Sequence, residues 1–384
     1  MKFEVNARML ALVLMRFLKM IPRQTKSATA VILLKLAVSW DGILQVLAVN
    51  DNVKLRAALP VSVEVPGSLC IPPKALVDLV KSIAQPGRSI HVENEDLAHQ
   101  LKLSAGSVRH VLTSSPGDCL EDTGVDEEPL TTIQIPVTAL KQALYHLCPV
   151  QSLDPKGGSV TDTCLDLDET GTVSMVTTDS YRLAIVHVPE TKVSGMTKAQ
   201  SWVFRNLDLQ LVASVMSGKN TKNDSVTLEQ GATTWTAAWG PYKFTAPFSK
   251  QRFPNWRSIR PRDYANSLVV NSAELIDRLN VAITLGEKKS AKVRFRWNGS
   301  SECILAAGNK ELGAESAMPL ALTWQYREAL PDSELVMDAR LLEPLISRMK
   351  GQVEFKFTAP ALPAMVRPLD GETCLEYLVM PINT

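Results

Sequence analysis

The pattern of apolar and polar residues changes from strand-like to helix-like at three related places in the chain. Residues 3–10, 133–140 and 268–275 each open with alternating apolar residues, typical of a half-buried strand, and then continue with helical spacing. An Asn or Pro stands near each change, where helices are capped or begin. The pattern therefore predicts one strand-to-helix transition that occurs three times.

A second transition into a helix recurs in the same order. Residues 71–76, 203–207 and 336–341 each open a helical pattern, and these helices are predicted to end near Ile83, Met216 and Met349. Both landmarks repeat at intervals of about 130 residues, and a fixed period indicates copies of one structural unit. We therefore predict an α+β fold of three repeated domains, each with two helices and several antiparallel strands, at 1–127, 128–261 and 262–384.

Shorter alternating segments, many of them separated by Gly or Asn turns, predict the remaining strands. The clearest of these segments are residues 43–49, 89–92, 226–228, 233–238, 293–297 and 353–357.

Composition narrows the possible functions. The 41 Lys and Arg residues balance the 40 Asp and Glu residues, leaving a net charge of +1. This balance argues against a protein that grips nucleic acid by bulk charge, although basic residues gathered on one face remain possible. The six cysteines are scattered without a C-x-x-C pair, and no apolar run approaches the ~18 residues of a membrane span. We expect a cytoplasmic protein without a metal or cofactor.

A hairpin is predicted in the middle of the chain, with strands on either side of Asp179-Ser180. Its turn places Tyr181 and Arg182 beside the apolar Leu183, and an aromatic ring, a guanidinium and a leucine could build a small docking pocket. The residues alone also fit an ordinary hairpin with a solvated arginine.

The sequence lacks the common catalytic motifs for nucleotide hydrolysis, serine hydrolysis or zinc proteolysis. A carboxylate cluster leaves one enzymatic alternative open, a metal-dependent nuclease that uses Asp166, Asp168 and Asp179. The competing interpretation is a solvated strand edge and turn, since Asp and Glu are usually exposed.

Basic residues near the predicted helices carry a nucleic-acid hypothesis. If the repeated units surround a hole, these residues could contact phosphates without reading bases, and otherwise they are solvated helix faces. The candidates are Arg23, Lys26, Lys74, Arg205, Lys288 and Lys289.

Three motifs in this order resemble the bacterial sliding clamp, the DNA polymerase III beta subunit. Residues 178–184 (TDSYRLA) are similar to the family signature T-D-[GS]-[HY]-R-L-A, and residues 252–259 (RFPNWRSI) are similar to its R-F-P-[DN]-[YW]-x-x-[VI]. The end of the chain, residues 377–382 (YLVMPI), is similar to its Y-[VL]-[VL]-M-P-[MIV].

The resemblance implies a function without catalysis. Family members have three similar domains per chain, and two chains close head to tail into a ring around duplex DNA. They tether polymerases and clamp-loader subunits through short peptides, which gives processivity because rebinding becomes intramolecular. A third possibility is a monomeric clamp-like protein that sequesters partner peptides.

The resemblance also implies particular site residues. Matched by motif, the partner-peptide pocket consists of Thr178, Ser180, Tyr181, Arg182, Leu183, Pro254, Ile259, Leu362, Pro363, Leu378, Val379, Met380, Pro381 and Ile382. The dimer interface would use Arg109, His110, Ile283, Glu311 and Glu315.

Overall fold

The fold is taken from a computed structural model of the chain. The structure describes residues 1–21, 33–50, 52–95, 99–120, 128–153, 160, 162–216, 224–287, 290–297, 302–309, 313–327, 334–359, 361–369 and 374–382.

The described part of the chain contains six α-helices, two in each third of the sequence. They are α1 (Ala7–Phe17), α2 (Pro73–Ile83), α3 (Val137–Leu147), α4 (Asn206–Val215), α5 (Ser272–Leu285) and α6 (Ala339–Ile346).

The strands are short and numerous. In the first third they are β1 (Lys2–Asn6), β2 (Leu34–Val38), β3 (Ile43–Asn50), β4 (Val53–Pro60), β5 (Ser62–Val65), β6 (Gly67–Ile71), β7 (Ser89–Glu95), β8 (Gln100–Ala105), β9 (Val108–Thr113) and β10 (Ser115–Pro116). In the middle third they are β11 (Thr131–Pro136), β12 (Asp162–Leu167), β13 (Val173–Thr178), β14 (Arg182–Val188), β15 (Lys192–Ser194), β16 (Gln200–Arg205), β17 (Ser225–Gln230), β18 (Thr234–Trp239) and β19 (Tyr242–Pro247). In the last third they are β20 (Asn266–Asn271), β21 (Lys292–Trp297), β22 (Glu302–Asn309), β23 (Ala314–Ala321), β24 (Thr323–Arg327), β25 (Leu335–Asp338), β26 (Gln352–Phe357), β27 (Ala364–Pro368) and β28 (Leu375–Val379).

The predicted strand-to-helix transitions are confirmed at all six positions. At two of the first landmarks an asparagine caps the helix, because the side chain of Asn6 accepts from the Met9 amide (3.1 Å) and that of Asn271 from the Ala273 amide (3.0 Å). Helix α6 ends at Ile346 rather than near Met349. Pro344 inside it lacks an amide hydrogen, and the chain continues in tighter turns to Met349.

The strands of the described residues form four antiparallel sheets. A ten-stranded sheet has the order β10-β6-β2-β3-β4-β19-β18-β17-β11-β15, and a nine-stranded sheet has the order β16-β12-β13-β14-β28-β27-β26-β20-β24. A five-stranded sheet, β5-β1-β7-β8-β9, and a four-stranded sheet, β23-β22-β21-β25, complete the set. The two large sheets each join strands from neighbouring thirds of the sequence, through the β4–β19 and β14–β28 pairs.

The described residues group into two compact units. The first comprises residues 1–141, 190–197 and 207–248, and contains the ten- and five-stranded sheets. The second comprises residues 142–189, 198–206 and 249–384, and contains the nine- and four-stranded sheets. The division into three domains stays a prediction, supported by the helix pair in each third.

Each unit has its own apolar core. Phe3, Phe17 and Phe244 are fully buried in the first unit, and Phe204, Phe357 and Tyr377 in the second. Among the described residues, no helix has both the length and the apolar character needed to cross a membrane.

Candidate functional site

The turn between β13 and β14 is built by its own side chains. The carboxylate of Asp179 accepts from the amides of Tyr181 (3.0 Å) and Arg182 (2.7 Å), and the hydroxyl of Thr178 donates to the Arg182 carbonyl (2.7 Å). Ser180 adopts a left-handed backbone with φ of 78°. The local sequence therefore fixes a tight turn that presents Tyr181, whose side chain is 63% exposed.

Arg182 is a partly buried structural residue rather than a solvated one. Its side chain is 10% exposed and forms an ion pair with Asp179, whose Oδ2 accepts from both Nε (2.9 Å) and Nη2 (2.7 Å). The same guanidinium donates to the carbonyls of Pro149 (2.7 Å), after α3, and Leu341 (3.0 Å), within α6. Two of these four hydrogen bonds thus hold the hairpin against α6 and the segment that follows α3, and the predicted solvated alternative for Arg182 is wrong.

Strand pairing brings the predicted pocket segments to one end of the nine-stranded sheet. Arg182 pairs with Val379, and Val379 pairs on its other side with Ala364. The Met380 amide donates to the Tyr181 carbonyl (2.9 Å). The 178–183 turn, the end of β28 and residues 362–363 before β27 therefore lie side by side.

The floor of this region is apolar. Leu183 and Leu378 are buried in one cluster with Val176, Ile185, Trp256 and Met365, and Phe253 and Tyr264 pack against it. Exposed apolar side chains lie in the same segments, with exposed fractions of 46% for Leu362, 41% for Ile259 and 38% for Met380. Pro254 is exposed, Pro381 and Ile382 are partly buried, and Val379 is fully buried.

The segment that supplies Pro254 and Ile259 is anchored by charged groups. The Ser249 hydroxyl donates to Asp162 (2.9 Å), Arg257 pairs with Asp166, and Arg260 pairs with Glu376 (2.7 Å). These anchors join residues 87 to 116 positions apart. No local sequence signal marks them, and sequence reasoning missed their role.

The nuclease alternative is not favoured. Asp168 and Asp179 lie beyond opposite ends of β13, and a six-residue strand spans about 20 Å. Asp166 is paired with Arg257, and the Thr170 hydroxyl and nearby backbone amides lower the pKa of Asp168. In the part of the chain that the structure describes, no group of His, Cys, Asp or Glu could hold a metal ion.

The other predicted residues fall in different places. Lys74 is exposed on α2 and Arg205 is partly buried at the end of β16, whereas Arg23, Lys26, Lys288 and Lys289 lie outside the described residues. Whether any of them faces DNA stays a prediction.

The predicted dimer residues lie mostly on open sheet edges. Arg109 is exposed and His110 partly buried on the edge strand β9, and Glu315 is exposed on the edge strand β23. Ile283 is partly buried on α5, and Glu311 lies outside the described residues. The predicted interface did not include Val111, an apolar residue on β9 that is 56% exposed.

Comparison with known proteins identifies the fold. No protein-family model matches the chain. Two curated relatives, each named beta sliding clamp, are 21% identical over 349 residues (Synechococcus elongatus) and 22% identical over 371 residues (Treponema pallidum). The alignments cover 88% and 94% of both chains, respectively.

A solved structure of the DNA polymerase sliding clamp from Pseudomonas aeruginosa matches with a TM-score of 0.87 at 18% identity, covering both chains in full. A second structure of that clamp, with griselimycin bound, matches with a TM-score of 0.85. The chain therefore has the α+β fold of the sliding clamps, as predicted. More specifically, its resemblance to the bacterial beta clamp, the DNA polymerase III beta subunit, is confirmed along the whole chain.

Proposed function

We propose that this protein is a DNA sliding clamp. Two chains close head to tail into a ring around duplex DNA, and the ring tethers replicative and repair polymerases without catalysing a reaction. It works in the cytoplasm and needs no cofactor. The exterior pocket at the end of the nine-stranded sheet receives short peptides of polymerases and clamp-loader subunits.

The arrangement of sheet edges carries this proposal. Two sheets of ten and nine strands each join neighbouring thirds of the sequence, whereas the remaining sheets have five and four strands. Pairing β9 of one chain with β23 of another would join these smaller sheets into a third continuous sheet. The two edges are different surfaces, so the contact is head to tail, and two such contacts close a dimer.

The chemistry of the two edges supports their pairing. Edge strands expose unpaired backbone groups that readily add another strand. Arg109 on β9 and Glu315 on β23 carry opposite charges, and the exposed Val111 gives β9 an apolar contact. A balanced net charge also suits a ring that slides, because tight phosphate contacts would hold it in place.

The pocket fits a short peptide with an apolar tip. Its floor is the buried cluster around Leu183 and Leu378, and Ile259, Leu362 and Met380 expose apolar surface nearby. Arg182 contributes by holding the hairpin in shape, because its hydrogen bonds are directed at the protein itself. Griselimycin in the related clamp structure supports the idea that this fold accepts peptide-like ligands.

The decisive experiment concerns topology. Purified protein is loaded onto nicked circular DNA, and its retention is measured before and after the DNA is linearised. A clamp stays on the circle and slides off the linear form. Equal loss from both forms would refute encirclement, and a monomer that still binds partner peptides would favour the peptide-sequestering alternative.

The pocket is tested separately. Ile259→Ala combined with removal of residues 380–384 should abolish peptide binding and leave the solution mass unchanged, because neither change touches β9 or β23. Trp40→Ala is the matched control, since Trp40 is an exposed apolar residue (73%) in the other compact unit. Unchanged peptide affinity in the pocket variant would show that the pocket lies elsewhere.

A further inference from the structure

A groove lined by basic side chains runs beside the segment that follows Trp256. Its volume is about 510 Å³. It is lined by Trp256, Arg257, Arg260, Pro261, Arg262, Tyr264, Lys356, Met365 and Arg367, which include five cations and no carboxylate. None of these residues belongs to the predicted peptide pocket.

The carboxylates that balance this groove lie beneath its surface. Arg257 and Arg260 are 55% and 47% exposed, whereas their partners Asp166 and Glu376 are only 10% and 8% exposed. A third carboxylate, Glu354, is 6% exposed and pairs with both Arg367 (2.5 Å) and Lys356 (3.4 Å). The solvent-facing side of the groove is therefore cationic, with five positive groups above three buried negative ones.

The arginines are held in position before any ligand arrives. The Arg257 guanidinium stacks over the Trp256 ring at 4.4 Å, and Arg260 is fixed by its pair with Glu376. A guanidinium has five N–H donors. When some of them donate to a buried carboxylate, others remain that can donate to a second anion. Less side-chain entropy is then lost when a carboxylate binds.

The groove is continuous with the pocket floor. Trp256 and Met365 line the groove and also belong to the apolar cluster that contains Leu183 and Leu378. Arg257 and Arg260 stand on either side of Ser258 and Ile259 in the sequence, and Ile259 is a pocket residue. A peptide with its apolar tip in the pocket would reach the groove with its next residues.

We propose that this groove binds an acidic segment that adjoins the apolar tip of partner peptides. The inference deepens the proposed function and rests on it, because it assumes that the pocket holds the tip. It predicts that partners of this clamp carry Asp or Glu beside their apolar residues. Peptides are favoured over nucleic acid because the groove shares its floor with an apolar site.

Three fluorescein-labelled synthetic peptides test the proposal by fluorescence anisotropy at low salt. The first has a Leu-Phe pair flanked on both sides by aspartates, the second has serines in place of the aspartates, and the third has the aspartates without the apolar pair. The first peptide should bind about tenfold more tightly than the second, since two or three partly exposed charge pairs contribute about that factor. The advantage should shrink as salt is added.

Two variants locate the effect. Arg262→Glu reverses an exposed charge of the groove, and Arg260→Gln with Glu376→Gln removes a pair without leaving a buried carboxylate alone. Each should reduce the gain of the aspartate peptide over the serine peptide, because each variant removes one positive charge of the groove. Lys198→Glu, an exposed charge reversal in the same compact unit but outside the groove, should change neither.

The outcomes separate the two proposals. If the serine peptide binds and the aspartate peptide binds no more tightly, the proposal for the groove is refuted and the proposal for the pocket stands. A second outcome is that the serine peptide does not bind, whereas the acidic peptide without the apolar pair binds the natural protein and not the Arg262→Glu variant. This result would refute the peptide pocket and support a groove that binds acidic segments. Tighter binding of a single-stranded oligonucleotide than of any peptide, lost in Arg262→Glu, would overturn the acidic-peptide assignment.

Discussion

Ser180 holds the hairpin turn in a backbone conformation that favours glycine. Its φ of 78° lies in the left-handed region, which costs residues with a side chain about 1–2 kcal/mol. Its amide receives support from the Thr178 hydroxyl oxygen at 3.2 Å. The turn that presents Tyr181 is thus formed at a small cost in stability.

The effect of a substitution at Ser180 on stability should depend on the shape of the new side chain. Ser180→Gly is expected to match or slightly exceed the stability of the natural protein, and Ser180→Val to lose about 1–2 kcal/mol, because a β-branched residue tolerates positive φ least. Urea unfolding midpoints measure the difference. Ser107→Val, at an exposed turn residue with negative φ, is the control and should stay within about 0.5 kcal/mol. Equal effects at both positions would contradict the strain argument.

His146, near the end of α3, makes stability depend on pH. Burial, and then the nearby charge of Arg348, lowers its pKa below the usual 6.5. Below pH 6.5 the folded state therefore binds fewer protons at His146 than the unfolded state does. The stability of the protein consequently decreases as the pH falls below about 6.5. Because the ring is partly exposed, the slope should stay well below about 1.4 kcal/mol per pH unit.

Urea unfolding at pH 7.5, 6.5 and 5.5 tests this dependence. His146→Gln should lose less stability between pH 6.5 and 5.5 than the natural protein does. Parallel pH profiles for the natural protein and the His146 variant would exclude a contribution from this residue.

At the scale of elements, single arginines join segments that are distant in the sequence. Arg348 donates to the Tyr145 carbonyl (2.9 Å) near the end of α3 and lies over the Tyr145 ring at 4.8 Å. Arg16 on α1 donates to the Val215 carbonyl at the end of α4 and lies over the Tyr242 ring at 5.0 Å. Cations at helix C-termini are favourable because carbonyl dipoles gather there.

Removing the Arg182 guanidinium should loosen the hairpin and the pocket together. Arg182→Ala removes the guanidinium from Asp179 and from two carbonyls, and breaking a largely buried ion pair costs up to about 3–5 kcal/mol. Thermal unfolding and peptide affinity should both fall. Asp179→Asn combined with Arg182→Ala should cost less than the sum of the single changes, because the two residues are coupled.

The exposed Arg252, which lies in the same compact unit, supplies the control for that experiment. Arg252→Ala should change stability by no more than about 0.5 kcal/mol. If Arg182→Ala abolished peptide binding with unchanged stability, Arg182 would contact the peptide directly.

The sequence predicted elements better than it predicted contacts. Periodicity and caps located all six helices, since Asn6 and Asn271 act within one turn. The motif match also placed the 178–183 turn and the end of β28 in one site. The burial of Arg182 and the Asp166–Arg257 pair could not be predicted, because they depend on residues brought together only by the folded sheet.

At the scale of the whole molecule, sheet edges decide what the chain can assemble into. The five-stranded sheet ends at β9 and the four-stranded sheet at β23, and both strands are long enough to pair, with six and eight residues. Antiparallel edges left unpaired are a hazard for aggregation. Their mutual pairing in a closed dimer would remove this hazard.

A charge exchange across these edges tests the closed dimer. The natural protein should show about twice the 42.1 kDa chain mass in light scattering behind a sizing column. If the edges pair as proposed, Arg109→Glu places like charges opposite each other at both junctions of the ring. At up to about 1 kcal/mol per junction, the dimer should dissociate about 30-fold more readily.

Adding Glu315→Arg to Arg109→Glu restores opposite charges and should restore the dimer. Val111→Lys places a charge on the exposed apolar position of β9, and lysine on an edge strand opposes pairing. It should therefore dissociate the dimer whether or not Glu315→Arg is present. A Val111→Lys effect without rescue by the charge exchange would mean that the edges pair in a register that separates Arg109 from Glu315. A dimer unaffected by all three variants would place the interface on another surface, and the continuous third sheet would have to be abandoned.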